Sequence, residues 1–375
     1  MKVALVHDWL TGYRGGERVL DQISRIFPDA PLYTLVHKEG STTPAIENRP
    51  IHTSFLQHLP FGVKKYRHYL PLFPLAAETL IREKYDLVIS TSHAVAKSVR
   101  TNGAHHWCYL HSPMRYIWDR FDDYFGPEQV GPVASALFFR PIAWALRQYD
   151  RGTANRVGQY VANSRFVADR VQQFYDRPAE VIPPPVRVER FHALSRTPGD
   201  FFLFFSALVP YKRADHAIKA CGQLGRKLVI LGKGPELQNL KQLARGTETE
   251  FVEARDDATI DDYYSRAKAL LFPAVEDFGI VPVEATAAGL PVIGLRRGGL
   301  VDSQTDFTCQ FYDRQTPEGL AEAILAFEGR TAVFDRDRMR LHSLRFSEQE
   351  FGTKIRESIA SFCRARKLAW PDRDE

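Results

Sequence analysis

Short apolar runs and longer amphipathic stretches alternate along almost the whole chain. Val3 to His7 is an apolar run of strand length, and from Glu17 to Phe27 the residues Val19, Leu20, Ile23, Ile26 and Phe27 recur at helical spacing. The same rhythm predicts further strands at Leu32 to Val36, Asp86 to Ser90, His106 to Leu110, Gln159 to Ala162 and Val181-Ile182. Helices are predicted at Pro74 to Lys84, Gly131 to Asn155 and Phe166 to Phe174, with Ser92 and Ser164 placed as N-caps, Ser92 for a turn through Val95. Beyond Gly199 the strands are Phe201 to Ser206, Lys227 to Leu231, Phe251-Val252, Ala269 to Phe272 and Pro291 to Leu295. The helices there are Arg213 to Leu224, Thr259 to Arg266, Ile280 to Ala288, Pro317 to Phe327 and Ser347 to Ala365. Strands that alternate with helices predict α/β architecture with doubly wound parallel sheets. Pro183-Pro184-Pro185 is stiff and cannot join a sheet interior, so a linker is expected between Pro183 and Gly199. That divides the chain into a domain over 1–185, a second over 186–350 and a terminal helix within 351–375.

Composition narrows the class. A chain of 375 residues with 44% hydrophobic content has ample material for two cores. No apolar run approaches the roughly eighteen residues of a membrane span, and the N-terminal Met1 to Val6 is too short for a signal peptide. Cys108, Cys221, Cys309 and Cys363 are scattered without metal or redox spacing, which fits a reducing cytoplasm. The net charge of +5 is uneven: up to Arg190 there are 24 Lys and Arg against 18 Asp and Glu, and from Phe191 onward 26 against 27. A basic first half suits nucleic acid, anionic lipid or a phosphorylated substrate, and equally a plain solvated surface. Two stretches raise the same question locally. Lys64-Lys65-Tyr66-Arg67-His68-Tyr69 is basic and aromatic, and the helix of Gly131 to Asn155 interleaves apolar residues with Arg140 and Arg147. Each reads as a membrane-surface element, a nucleic-acid contact, or a core element with a solvated charged edge.

The strongest candidate chemistry lies in AVEDFGIVPVEATAAGLPVIG, residues 274–294. A strand runs into the loop Val275-Glu276-Asp277-Phe278-Gly279, then a helix closed by Gly289 and Pro291, then another strand. Ligands of such sheets sit outside the carboxyl ends of the strands, where loops feed helices. The amides around Phe278, Gly279 and Ile280 would open towards an anion such as a diphosphate. Glu276 and Glu284 flank that cup, and carboxylates accept from sugar hydroxyls. Phosphate cup and hydroxyl acceptors together suggest a nucleotide-sugar; the plain alternative is a surface Glu284 and a loop Glu276. His111 stands at the carboxyl end of a strand before Pro113, a catalytic-face position, whereas His105 and His106 read as structural. The loop Asp8 to Gly16 is glycine-rich at a strand-to-helix turn but lacks G-x-G-x-x-G, so no dinucleotide site is supported. Asp335-Arg336-Asp337 falls on a charged late helix and does not make a metal site.

The pair Glu276-x7-Glu284, with the Phe278-Gly279 turn, the small-residue helix and the G-x-P-V-I strand, resembles the E-x7-E motif of retaining glycosyltransferases of the GT-B fold. More closely, the stretch resembles glycosyltransferase family 4. That resemblance extends over nearly the whole chain, and HSPMRYIWD from His111 is similar to a subgroup that includes O-antigen mannosyltransferases. It implies two Rossmann-like domains whose parallel sheets face each other across a cleft, with the last helix, Phe351 to Ala365, crossing back to the first domain. By the same resemblance Glu276 meets donor-sugar hydroxyls, Glu284 the nucleotide ribose, and Phe278, Gly279 and Ile280 the diphosphate. Gly15 and Gly16 match the first glycine loop, near donor phosphate and acceptor, and His111 the histidine that touches donor sugar and phosphate. Lys212 and Asp215 match the family's G-R-L-x-x-x-K-x-x-D loop, but Ser206 and Ala207 stand where it has glycine and arginine. One cation is therefore missing; Lys212 keeps the diphosphate role, and Arg213 is the candidate to compensate. Gly232, Gly234 and Pro235 match a G-x-G-P turn near the nucleobase, and Gly298-Gly299 a loop that here continues to Asp302 in place of glutamate.

What the resemblance implies is a hexose transferred with retention from a nucleotide-diphospho-sugar, GDP-mannose being favoured by subgroup. The acceptor would be a saccharide or lipid-linked saccharide in cell-surface polysaccharide synthesis. No metal and no cofactor is expected, nor nucleic acid as a partner. The protein is placed in the cytoplasm, with peripheral contact to an anionic membrane in prospect. The competing readings are another UDP- or GDP-sugar donor, a phosphorylase or epimerase on the same scaffold, and a non-catalytic nucleotide-sugar or nucleic-acid-binding protein.

Overall fold

The computed structural model describes residues 1–253, 256–330 and 333–370. The chain divides into two compact units, one of Met1–Pro184 together with the chain from Phe351 onward, the other of Pro185–Glu350.

In the first unit, β1 (Val3–His7), β2 (Leu32–Thr34), β3 (Ile51–Thr53), β4 (Leu87–Ser92), β5 (His105–Leu110), β6 (Gln159–Ala162) and β7 (Ala179–Val181) form one sheet. Their order is β3-β2-β1-β4-β5-β6-β7, every neighbouring pair parallel. Alternate residues of the central strands supply two cores. Ala4, Val6 and Val88 pack on one face, and Val3, Leu5, Leu87, Ile89, Trp107 and Tyr109 on the other. Residues two apart share a face of a strand, so apolar runs without alternation require cover on both sides. The helix Glu348–Ala365 provides part of that cover: Phe351, Ile355, Ile359 and Phe362, at helical spacing, are buried in the second of these cores. Trp107 Nε1 donates to Ser358 Oγ at 3.3 Å.

The second unit repeats the logic with β8 (Phe201–Phe205), β9 (Lys227–Leu231), β10 (Thr249–Val252), β11 (Leu270–Phe272), β12 (Val292–Leu295) and β13 (Cys309–Tyr312). The order is β10-β9-β8-β11-β12-β13, again all parallel. In each sheet the strand order reverses once, between β1 and β4 and between β8 and β11. Loops leaving adjacent strands at such a point diverge to opposite faces and open a crevice at the carboxyl edge.

Several sequence expectations need correction. The linker expected over Pro183 to Gly199 is not an open linker: Val188–His192 is helical and Val186 bridges to Ser347 within the second unit. Val186, Val188 and Phe191 are fully buried there, which the prolines beside them conceal in the sequence. Ser92 closes β4 and takes only a small share in capping the turn after it: its Oγ accepts from Lys97 N at 3.2 Å, while the Asp8 carboxylate, just after β1, takes the amides of His93, Ala94, Val95 and Ala96 at 2.6–2.9 Å. Charge-assisted bonds of this kind outcompete a serine hydroxyl. Gly15 and Gly16 form the first turn of the helix Gly15–Ile26 rather than a loop before it, and Glu17 completes the start by accepting from Arg14 N at 2.9 Å. The helix expected from Thr259 begins at Asp257 with Asp256 as its cap. Asp335 likewise is a cap, accepting from Arg338 N at 2.7 Å.

The stretch Gly131 to Asn155 is helical from Pro132 to Gly152 but includes a π turn over Ser135–Phe139. Its outward face is mainly apolar, with Arg140 and Arg151 also exposed. Val133, Leu137, Phe138 and Trp144 are 67%, 66%, 64% and 63% exposed, while Ala143, Leu146 and Asp150 turn inward.

Candidate functional site

The second unit's polar cluster forms where β8, β9, β11 and β12 end side by side. After β11 the chain turns through Pro273 to Gly279 and enters the helix Ile280–Ala288. Gly279 is the N-cap in a left-handed conformation, φ 87°, and offers no side chain to the first-turn amides. A residue with a Cβ is strained at that φ. The half-buried end of the helix, at Gly279 to Val281, thus presents N–H groups and the positive end of its dipole. Phe278 itself is buried, its ring 5.6 Å from that of Phe346, which anchors the turn from below.

Glu276 and Lys212 come together here. The Lys212 ammonium, in the loop after β8, is paired with the Glu276 carboxylate, and both side chains are mostly buried. Two residues assigned to different motifs by the sequence thus meet at one point. Glu284 is buried on a helix whose other buried residues are Pro282, Val283, Ala285, Thr286, Ala287 and Ala288, all apolar but Thr286. The Tyr264 hydroxyl donates to Glu284 Oε2 at 3.4 Å, and burial together with that carboxylate holds the phenol well above its usual range, so it stays a donor. Glu284 is therefore not a surface residue. A buried carboxylate on an apolar helix is costly and is kept where donors meet it.

The flanking glycines have packing reasons. Gly298 and Gly299, after β12, lie against the main chain of Glu276 to Phe278, and Gly299 N donates to Glu276 O at 2.8 Å. A Cβ on either would overlap that main chain, so the pair fixes the height of the Glu276 loop. Gly232 and Gly234 are crossed in the same way by the backbone of Ser206 and Leu208, and Gly232 N is taken by Val252 O at 3.0 Å. Pro235 follows in the turn before the helix Leu237–Leu243. Arg213 adopts a left-handed φ of 58°. Its guanidinium bonds Asp215 Oδ2 at 2.9 Å and the His216 ring, on the first turn of its own helix, and not Glu276.

In the first unit the carboxyl edge carries a row of imidazoles. His7 ends β1, His93 follows β4 and His111 follows β5, neighbouring strands in the sheet. The His93 and His111 ring centroids are 6.2 Å apart, those of His7 and His93 6.0 Å. His7 Nδ1 is hydrogen-bonded to Thr91 Oγ1 at 2.7 Å, and Glu17 lies 3.9 Å from its Nε2. His93 Nδ1 lies 3.3 Å from Asp8. Asn163 Nδ2 donates to His111 O at 3.0 Å. Burial, and then the neighbouring imidazoles, hold His111 well below the ordinary histidine range, so it is neutral at pH 7. His111 Nε2 is buried without a hydrogen-bond partner. It points at Gly16, where a Cβ would stand 3.6 Å from His111 Nε2 and 3.7 Å from His7 Cε1. Of this row the sequence singled out His111 alone. His7, His93 and Asp8 are brought to it by the β1-β4-β5 order, which no local pattern reveals. His106 is structural as expected: buried, bonded to Ser90 Oγ at 2.8 Å and pushed down to about 3 by burial. His105 is exposed. Among the described residues no group of three or more His, Cys, Asp or Glu side chains is arranged to hold a metal.

The space at Gly16 gives a sharp prediction. An alanine methyl there meets both imidazoles at ordinary contact distance, and alanine is about 1 kcal/mol better than glycine inside a helix. Gly16→Ala should therefore leave the melting temperature unchanged or raised while lowering turnover, because the methyl fills the notch before His111. A drop in melting temperature, or wild-type turnover, would contradict an open functional notch at that point.

Two parallel-stranded Rossmann-like units, each with its polar cluster at the carboxyl edge, define the architecture of GT-B proteins. The solved structure of Anabaena HepE in complex with UDP superposes with a TM-score of 0.69 at 19% identity, covering 96% of this chain and all of that one. The family model described as Glycosyltransferase Family 4 matches residues 13–190, and that described as Glycosyl transferases group 1 matches residues 186–337. The chain belongs to the family 4 glycosyltransferases. Among curated relatives, a GDP-mannose-dependent alpha-(1-6)-phosphatidylinositol monomannoside mannosyltransferase of Mycobacterium tuberculosis is 26% identical over 243 residues, 55% of this chain and 61% of that protein. A D-inositol 3-phosphate glycosyltransferase of Saccharomonospora viridis is 27% identical over 243 residues, 54% of this chain and 56% of that protein. The chain thus aligns with little more than half the length of these relatives.

Proposed function

We propose that the protein transfers a hexose, with retention and without a metal, from a nucleoside-diphosphate sugar to a saccharide or lipid-linked saccharide, with GDP-mannose as the favoured donor. The observation that carries this reading is the Lys212–Glu276 pair beside the uncapped N-terminus of the helix that buries Glu284. In the reaction the bond from the anomeric carbon to the diphosphate breaks and the diphosphate leaves with the bonding electrons. An acceptor hydroxyl bonds to that carbon and gives up its proton to an oxygen of the departing diphosphate. The leaving group gains charge as it departs, so preorganised cations and helix amides favour the transition state over the ground state. On this reading Lys212 passes from Glu276 to the diphosphate and frees the carboxylate for hydroxyls of the donor sugar. Glu284 is the acceptor for the ribose hydroxyls. GDP-mannose is favoured by the mycobacterial relative's name, whereas the HepE complex contains UDP, so UDP-sugars are the second donor class to test.

A panel of GDP-mannose, UDP-glucose and ADP-glucose, scored by thermal stabilisation with excess chelator, tests the donor. Ligand at 100 times its Kd adds about 2.7 kcal/mol to the folded state. The expected result is a shift with GDP-mannose that chelator leaves intact. A shift with UDP-glucose alone overturns the donor, dependence on added manganese or magnesium overturns the metal-free site, and no shift with any sugar nucleotide overturns the reading.

The acceptor side includes an anionic membrane. No helix among the described residues is long and apolar enough to cross one. The outward face with Val133, Leu137, Phe138 and Trp144 has Arg140 beside it, suited to lying in a headgroup layer. Binding to anionic vesicles should exceed binding to neutral ones, weaken with salt, and fall for Phe138→Ser with Trp144→Ser; equal binding to both vesicle types, or none, contradicts this part.

A further inference from the structure

The cations at the second unit's carboxyl edge are unequally engaged. Lys212 is paired with Glu276, and Arg213 is turned onto Asp215 and His216. Ala207 brings only a methyl where family 4 has arginine. At the end of β12 two further arginines follow each other. Arg296 is committed to the β13 side: its N donates to Tyr312 O at 2.8 Å, its Nε is 3.5 Å from Asp313 and an Nη 3.7 Å from Asp306, and its guanidinium lies 4.4 Å from the Phe311 ring. Arg297 is exposed and, among the described residues, makes no ion pair and no side-chain hydrogen bond.

The backbone brings Arg297 to the site. Its N donates to Leu295 O at 2.7 Å, a three-residue turn that ends the strand. The next residues, Gly298 and Gly299, are those seated on the main chain of Glu276 to Phe278. Arg297 is therefore one residue, about 3.8 Å along the chain, from backbone in direct contact with the Glu276 loop. An arginine side chain is longer than that step. The loop it borders carries the partner of Lys212 and leads into the open helix N-terminus.

We propose that Arg297 is the second cation of the diphosphate subsite, supplying from the β12 loop the charge that Ala207 lacks after β8. The inference rests on the nucleotide-sugar reading above. A diphosphate that draws Lys212 from Glu276 leaves one ammonium to balance both phosphates. A guanidinium adds a fork of donors that matches phosphate oxygens in pairs. Its freedom from carboxylates means that no existing ion pair has to break when the ligand arrives.

The test is calorimetric titration of GDP, UDP and guanosine into the wild type, Arg297→Met, Arg297→Lys and Arg296→Met, each first checked by thermal melting. Arg297→Met should weaken the diphosphate that the wild type prefers by about ten- to a hundredfold, the range for a hydrogen bond to a charged group. Guanosine binding and melting temperature should not change, Arg297→Lys should recover part of the loss, and Arg296→Met should bind as the wild type does. Wild-type affinity in Arg297→Met, or an equal loss in Arg296→Met, overturns the assignment. A wild type that binds neither GDP nor UDP overturns the nucleotide-sugar reading itself, and the inference with it.

Discussion

Replacing Lys212 with methionine is expected to slow sugar transfer by about 10²–10³-fold, the usual cost of removing one preorganised group that stabilises transition-state charge. Methionine keeps an unbranched stem of similar shape and removes only the charge, so packing around Tyr211 and Glu276 is little disturbed. In the resting site the ammonium is held by Glu276. On the proposed reading it need only exchange one oxygen partner for another when the donor binds. Because leaving-group charge is larger in the transition state than in the bound donor, turnover should fall more than nucleotide affinity. Loss of affinity with unchanged turnover would make Lys212 a binding group alone, and wild-type values for both would remove it from the site.

The largest effect on stability is expected at Asp150. Its carboxylate is fully buried in the first unit and paired with the equally buried Lys97 ammonium at 2.9 Å. Trp118 Nε1 and the Tyr175 hydroxyl donate to its other oxygen at 2.7 and 2.8 Å, and Lys97 also donates to Asp150 O at 2.7 Å. The pair ties the helix Arg140–Gly152 to the 3₁₀ turn Ala96–Ser98 and the helix Arg165–Tyr175. Asp150→Ala strands a buried ammonium and should cost about 3–5 kcal/mol, whereas removing both charges with Lys97→Met and Asp150→Leu should recover much of the loss. All five tryptophans, Trp9, Trp107, Trp118, Trp144 and Trp370, lie in the first unit, so fluorescence-monitored denaturation reports on that unit. As a control, breaking the exposed Lys2–Glu83 pair of the same unit should leave the transition essentially unchanged. A loss below 1 kcal/mol for Asp150→Ala would contradict the network's role.

Lys97 and Asp150 also show where sequence reading stops. No local pattern marks either, and the helix that carries Asp150 reads as a membrane-surface element, a nucleic-acid contact or a core element with a solvated charged edge. In the fold that helix turns Asp150 inward beside Ala143 and Leu146 and leaves Trp144 outside, because the groups that satisfy the carboxylate come from elements far away in sequence. The helix Ile280–Ala288 was legible from end to end, since Gly279 and Gly289 punctuate it and its small residues allow burial on every side. Most strands were legible as apolar runs, with ends displaced by a residue or two at Leu32–Thr34 and Leu87–Ser92, but the short edge strands Ile51–Thr53 and Cys309–Tyr312, with polar residues interspersed, were missed. Strand order was not, and with it went His7, His93 and the Asp8 carboxylate that secures the turn after β4. The Lys212–Glu276 contact depends on the same information: each residue was visible in its own motif, and only the β8–β11 adjacency makes them partners.

The most direct test of a nucleotide-sugar site built on this helix is titration of the preferred nucleoside diphosphate into Glu284→Ala and Glu276→Ala, after thermal melting has shown each to be folded. Glu284→Ala should lose about ten- to a hundredfold in affinity for the nucleotide, as expected for a hydrogen bond to a charged group. Glu276→Ala should still bind the nucleotide while its transfer rate collapses, because the proposed partner of that carboxylate is the sugar. Unchanged nucleotide affinity in Glu284→Ala, or a wild-type transfer rate in Glu276→Ala, would contradict the account.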